Sequence, residues 1–138
     1  MIQIQDENSN IMYTENIPYT RVDLSGFLTA EQQKEKLSNP KLFELIGEKN
    51  VVNLLLNLSQ VWRVGTEDLD WIEKEWLPKL STSGIQRVSI VCSQQVFDML
   101  INIFNTISER VNKGSIQVQF FNDIQFYETW DSVNWFYN

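Results

Sequence analysis

Val51-Val52-Asn53-Leu54-Leu55-Leu56-Asn57-Leu58 is an almost uninterrupted apolar run of strand length. A strand with one wet face alternates apolar and polar residues, whereas a continuous run suits a central strand covered on both faces. A second such run, Ile85 to Cys92, is near-continuous after Arg87. Between the two, Thr66 can cap a helix from Glu67 to Leu80, with Leu69, Ile72, Trp76 and Leu80 on one face at spacings of three and four. Pro78 in its last turns is expected to distort it. After the second run Ser93 caps a helix from Gln94 to Val111, with a main stripe of Phe97, Leu100, Ile101, Phe104 and Val111. Val96, Met99, Ile103 and Ile107 widen that stripe beyond one face. Ile116, Val118 and Phe120 then alternate with Gln117, Gln119 and Phe121 as an edge strand, and Asn122 or Asp123 caps a last helix bearing Ile124, Tyr127 and Trp130. Strands alternating with helices imply right-handed crossovers and a mostly parallel sheet.

Working back toward the start, Ile2 and Ile4 alternate with Gln3 and Gln5, and Asp6 to Asn10 is turn material. Ile11 to Thr14 resumes extended character, and Tyr19 to Leu24 alternates up to Ser25-Gly26. These strands pair antiparallel at one edge of the sheet. Thr29 caps a helix reaching Leu37, Asn39-Pro40 breaks it, and Lys41 to Ile46 forms a second piece with Gly47 at its C′ position. No repeat or linker divides the chain, so residues 1–138 read as one domain.

The chain carries 11 Lys and Arg against 18 Asp and Glu, a net charge of −7, and no His. Without His there is no Ser-His or Cys-His nucleophile pair, no His-ligated metal and no imidazole switch. The acidic balance argues against nucleic acid and against anionic membrane surfaces. Cys92 is the sole cysteine, which excludes an intramolecular disulfide, and its place in an apolar strand reads as a small buried hydrophobe. Met1 to Glu7 has neither a basic nor an apolar region of a signal peptide, and no apolar stretch is long enough for a membrane span. The expectation is a cytoplasmic protein without integral membrane association.

Several stretches are similar to one known family. Gly26-Phe27-Leu28-Thr29 opens the first helix, and the acidic helix from Glu67 carries Trp71 and ends in Trp76-Leu77-Pro78. Gly84-Ile85 leads into the strand Arg87–Val91, and Phe120-Phe121-Asn122-Asp123-Ile124 precedes Trp130. Together they resemble the SpoIIAA-like group of STAS-type domains, small bacterial proteins related to anti-sigma-factor antagonists. The resemblance implies an α/β STAS fold, with a mostly parallel sheet of βα repeats and antiparallel N-terminal edge strands. It also implies a regulatory role through protein contacts. The antagonists carry a phosphorylatable serine where this chain has Gly65-Thr66-Glu67-Asp68. Thr66 is then either a phosphoswitch or a plain N-cap, and Glu67 and Asp68 would repel a new dianion there. The fold's kinship to CRAL-TRIO lipid-binding domains implies an apolar ligand.

From the residues themselves, the loop following the Val51–Leu58 strand is the place for a ligand, since open α/β sheets bind at the carboxyl ends of their strands. Asn57, Trp62, Arg63 and Thr66 are the candidates there for a ligand or a partner. The alternative is a Trp covering the sheet end and an Arg paired with local carboxylates. Glu67, Asp68, Asp70, Glu73 and Glu75 read as a solvated acidic face rather than an acid–base pair. Trp71 lies off its helix's stripe, and Trp71 with Val96, Met99 and Ile103 are interface candidates for a homodimer. The alternative is that the N-terminal strands or the stretch 126–137 cover them. No residue is read as catalytic, and no metal or cofactor is called for. The leading reading is a non-enzymatic STAS-like module that binds a protein partner. A carrier of a small apolar or anionic ligand near Trp62 and Arg63 comes second, and the Thr66 phosphoswitch third.

Overall fold

The computed structural model describes residues 1–17 and 19–122. The expected last helix, with Trp130, and the covering stretch 126–137 lie outside the described residues. Six strands form one sheet in sequence order: β1 (Ile2–Gln5), β2 (Ser9–Tyr13), β3 (Thr20–Gly26), β4 (Asn53–Val61), β5 (Arg87–Cys92) and β6 (Gln117–Asn122). β1, β2 and β3 pair antiparallel, while β3 to β6 run parallel. This is the expected mixed sheet, with the antiparallel strands at one edge.

Helices α1 (Ala30–Leu37) and α2 (Pro40–Lys49) join β3 to β4. α3 (Thr66–Trp71), a π-helical turn (Ile72–Trp76) and α4 (Leu77–Thr82) join β4 to β5, and α5 (Gln94–Val111) joins β5 to β6. Parallel strands laid down in one direction by right-handed crossovers carry all their helices on one face. The packing agrees. Leu54, Leu56 and Leu58 of β4 share one buried cluster with Leu37, Leu42, Leu69, Trp76, Leu80, Phe104 and Ile107 from the helices. Leu55, Val91 and Phe121, which point the other way, form a separate small cluster. Both faces of β4 are thus buried, which is why its sequence shows no alternation.

Local chemistry sets the helix ends. Thr29 Oγ1 accepts from Gln32 N–H while Gln32 Oε1 accepts from Thr29 N–H, a reciprocal cap. Ser93 Oγ takes the Val96 N–H at the start of α5. α2 runs past Gly47 to Lys49 and ends at Asn50, whose φ of 52° turns the chain left-handed. Asn tolerates that conformation, so Gly47 is helical rather than terminal.

The π-helical turn lies just before Pro78. A proline there lacks the N–H that would bond the Lys74 carbonyl, and its ring would crowd that carbonyl in an α-helix. Widening the preceding turn, with Leu77 N–H reaching Ile72 C=O, accommodates it. Trp76, at the end of that turn, is fully buried, and its indole N–H donates to Leu37 C=O at 2.9 Å. One side chain thereby fills the core and satisfies the last carbonyl of α1. Cys92 is buried on the helix-bearing face.

Candidate functional site

The carboxyl ends of β3 and β4 meet at Gly26 and Trp62. Trp62 N–H donates to Gly26 C=O at 3.1 Å, which locks the two strand exits together. Gly26 holds φ at +81°, and a Cβ there would stand 2.9 Å from Asn8 Nδ2. That amide in turn donates to Ser25 C=O, so only glycine fits. The turn throws Phe27 outward, and Leu28 back into the core.

Asn57 is placed inside β4 and not at the loop. It pairs with Asp23, but two residues on, Ser25 pairs with Gln60, so β4 holds one extra residue. This is a β-bulge, and Asn57 stitches it: its Oδ1 accepts from Ser59 N–H at 3.0 Å and from Ser59 Oγ–H at 2.7 Å. The bulge changes the phase of the strand. Leu54, Leu56 and Leu58 face the helices, and after the bulge Val61 does so. Strict alternation would have buried Trp62; the bulge turns it out. Trp62 is 77% exposed and Phe27 58%. Their rings meet edge to face, with centroids 5.9 Å apart and planes at 71°, a favoured arrangement of aromatic quadrupoles.

The next four residues form a polar frame. Arg63 C=O accepts from Gln33 Nε2 at 3.3 Å, tying the loop to α1. Gly65, not Thr66, is the N-cap of α3, and the acceptor that completes the helix start comes from Asp68, whose Oδ2 takes the Gly65 N–H at 2.8 Å. Thr66 is therefore the first helical residue, with its side chain exposed. Thr66 lies one residue too far along to be the cap: Leu69 N–H already donates to Gly65 C=O, and Asp68, at the third helical position, reaches back to the Gly65 N–H. The Asp68 side chain is 2% exposed and stands 3.7 Å from the Arg63 guanidinium, itself 44% exposed. Asp68 Oδ1 and Gln33 Oε1 are buried acceptors without a donor among the described residues, and both line one narrow cleft between α1 and α3.

The structure thus brings Trp62, Arg63 and Thr66 together, adds Phe27, and leaves Asn57 acting from below. Phe27 is not among the site residues that the sequence points to. The signal for it was an aromatic placed directly after a strand-ending Ser-Gly.

The interface candidates separate. Trp71 is half-buried and lines the cleft against Lys34 and Leu37, so α1 takes up the second aromatic face of its helix. Val96 and Ile103 are half-buried and pack on the core, while Met99 alone of that edge is exposed, at 71%. The acidic face is also less solvated than expected. Glu73 takes both Nε–H and Nη2–H of Arg110 at 2.8 and 2.7 Å, which clamps the π-helical turn to α5 and raises the Arg110 pKa. Asp70 pairs with Lys74 at 2.8 Å and raises the Lys74 pKa in the same way. Among the described residues no three acidic or thiol groups converge as metal ligands. A groove of about 360 Å³ lies between α4 and α5, lined by Leu77, Pro78, Val111 and Ile116 with Arg110 at its lip, away from Trp62.

No protein-family model matches the chain, and no curated protein matches it in sequence. Among solved structures, an uncharacterized protein of the DUF3478 family from Shewanella loihica PV-4, described as having a SpoIIAA-like fold, superposes with a TM-score of 0.52. The two are 15% identical, and the match covers 96% of this chain and 98% of that one. The fold is SpoIIAA-like. At that identity the likeness speaks for the architecture alone. Within the SpoIIAA-like fold, the Gly65–Asp68 stretch sits at the start of the helix after β4, where the sequence resemblance placed it. No helix among the described residues is long and apolar enough to cross a membrane.

Proposed function

We propose that this SpoIIAA-like chain is a non-enzymatic binding module, and that it holds a protein partner through the surface of Phe27, Trp62 and Arg63. The observation that carries the reading is the exposed Phe27–Trp62 ring pair, set on a backbone fixed by the Trp62–Gly26 hydrogen bond and the Asn57 bulge. An isolated exposed aromatic is ordinary; two in contact on a preordered loop, with a guanidinium beside them, have the composition of an interface centre. A rigid anchor loses little conformational entropy on binding, so its buried area converts more fully into affinity. Arg63 has hydrogen-bond donors to offer a partner because its ion pair with Asp68, at 3.7 Å, is long.

The carrier reading is weaker, because the apolar groove beside Arg110 lies between α4 and α5, away from Trp62, and Trp62 stands on an open surface. The phosphoswitch reading has Thr66 exposed in its favour, but Glu67 beside it and Asp68 beneath it oppose a phosphate. A photo-reactive amino acid at position 27, expressed in the cells of origin, tests the proposal. The expected result is one covalent adduct of discrete protein mass, lost when Trp62 is also replaced by Ala. Adducts only to lipid or to small molecules would contradict it.

A further inference from the structure

β1 ends the sheet, and among the described residues it is paired on one side only, with β2. In an antiparallel pair the N–H and C=O of successive residues point to opposite sides. Asp6 N–H donates to Ser9 C=O at the turn between the two strands. Ile2 and Ile4 therefore bond inward to β2, and Gln3 and Gln5 carry their N–H and C=O outward. Proteins blunt such an edge with charges, proline, bulges or brevity. β1 has no charge and no proline, and its register with β2 is regular. Of these devices only its four-residue length applies. Ile2 and Ile4 lie on the helix-bearing face, half-exposed against the main core, and Gln3 and Gln5 are exposed on the other.

We infer that the outer edge of β1 pairs antiparallel with β1 of a second copy of this chain, about a two-fold axis through Gln3. Residues opposite one another in an antiparallel pair project to the same face, so Ile must meet Ile and Gln must meet Gln. Within the strand this leaves an axis through Gln3 or one through Ile4. The axis through Ile4 sets Ile2 against Asp6. The axis through Gln3 sets Ile2 against Ile4 twice and keeps Asp6 outside the ladder. It also makes Gln3–Gln3 a pair that exchanges both hydrogen bonds, since both backbone groups of Gln3 face out. Charge supports antiparallel pairing as such, in either register. Lys49 stands beside Met1 and Ile2 at one end of the strand, and the exposed Glu7 follows at the other. Antiparallel pairing brings each Lys49 toward the Glu7 of the other copy. Four residues make a short ladder, so the dimer is weak.

Sedimentation of the full chain from 10 µM to 1 mM tests this, the wild type being expected to pass from monomer to dimer. Gln3→Lys sets like charges on the axis and is expected to raise the dissociation constant at least about tenfold, as is Gln3→Glu. Mixing the two variants is expected to restore association, which a merely unfolded variant would not do. Unchanged circular dichroism shows that each variant is folded. A strict monomer at 1 mM overturns the inference, as does a dimer that neither variant weakens, which would place self-association elsewhere, such as at Met99.

Discussion

Asp68 is the side chain on which the frame beneath Trp62 and Arg63 depends, and two substitutions separate what it does. Its Oδ2 accepts the Gly65 N–H at 2.8 Å and lies 3.7 Å from Arg63. In Asp68→Ala the Gly65 donor loses its acceptor. Loss of a helix cap costs about 0.5–2 kcal/mol, and a donor left unmade about 1–3 kcal/mol when fully buried and less at the half-buried Gly65. These describe one bond from two sides, so the expected loss is about 2 kcal/mol rather than their sum. The ion pair adds little, since Arg63 is nearly half exposed and such pairs contribute under about 1 kcal/mol. Asp68→Asn keeps an oxygen for Gly65 and removes the charge. It also places an NH₂ group in the cleft where Asp68 Oδ1 and Gln33 Oε1 lack donors. Its stability is therefore expected within about 0.5 kcal/mol of wild type. Urea unfolding reads both. With a slope of about 2 kcal/mol/M for a chain this size, the Ala midpoint falls by about 1 M and the Asn midpoint by less than about 0.3 M. If Asn falls as far as Ala, the charge and not the hydrogen bond holds the loop, and the reasoning is refuted.

Three further outcomes are expected. Trp76→Phe strips the donor from the Leu37 carbonyl and leaves a void in the main core, for a loss of about 2–4 kcal/mol by denaturant unfolding. Trp62→Ala should change stability by under about 0.5 kcal/mol, because the ring is exposed, while a large loss would mean that Trp62 packs rather than binds. Asp6, held at a pKa of about 2 against the usual 3.8 mainly by its hydrogen bond from Lys36, favours the folded state when ionised. That contribution is present above about pH 4 and is lost as pH falls through about 2. Asp6→Asn should lower the melting temperature at pH 5, and the difference should shrink as pH falls through about 2. Because Asp6 is well exposed, screening keeps the difference small.

The order of strands and helices was legible because the buried faces impose their periods on the sequence. Continuous runs mark β4 and β5, and the caps Thr29 and Ser93 mark helix starts. Features that depend on contacts distant in sequence were not legible. The Asn57 bulge shifts the phase of a strand by one residue, and only the pairing with β3 reveals it. Trp71 looked exposed by helical periodicity, but α1, more than 30 residues earlier, covers it. Asp68 reads as one more acid on an acidic helix until its burial shows it bonding back to the Gly65 N–H at the helix start. Trp62 and Arg63 could be singled out from their place after a central strand, but the ring contact with Phe27 needed the two strand ends side by side.

The most direct test of the binding surface is the affinity of the cross-linked protein partner, once identified, for wild type and for the Phe27→Ala and Trp62→Ala variants, by calorimetry. Truncating an anchor at an interface centre costs about 2 kcal/mol or more, so each variant is expected to bind at least about 30-fold more weakly with its fold intact. Affinity unchanged in both variants would contradict the account and move the contact to another face of the molecule.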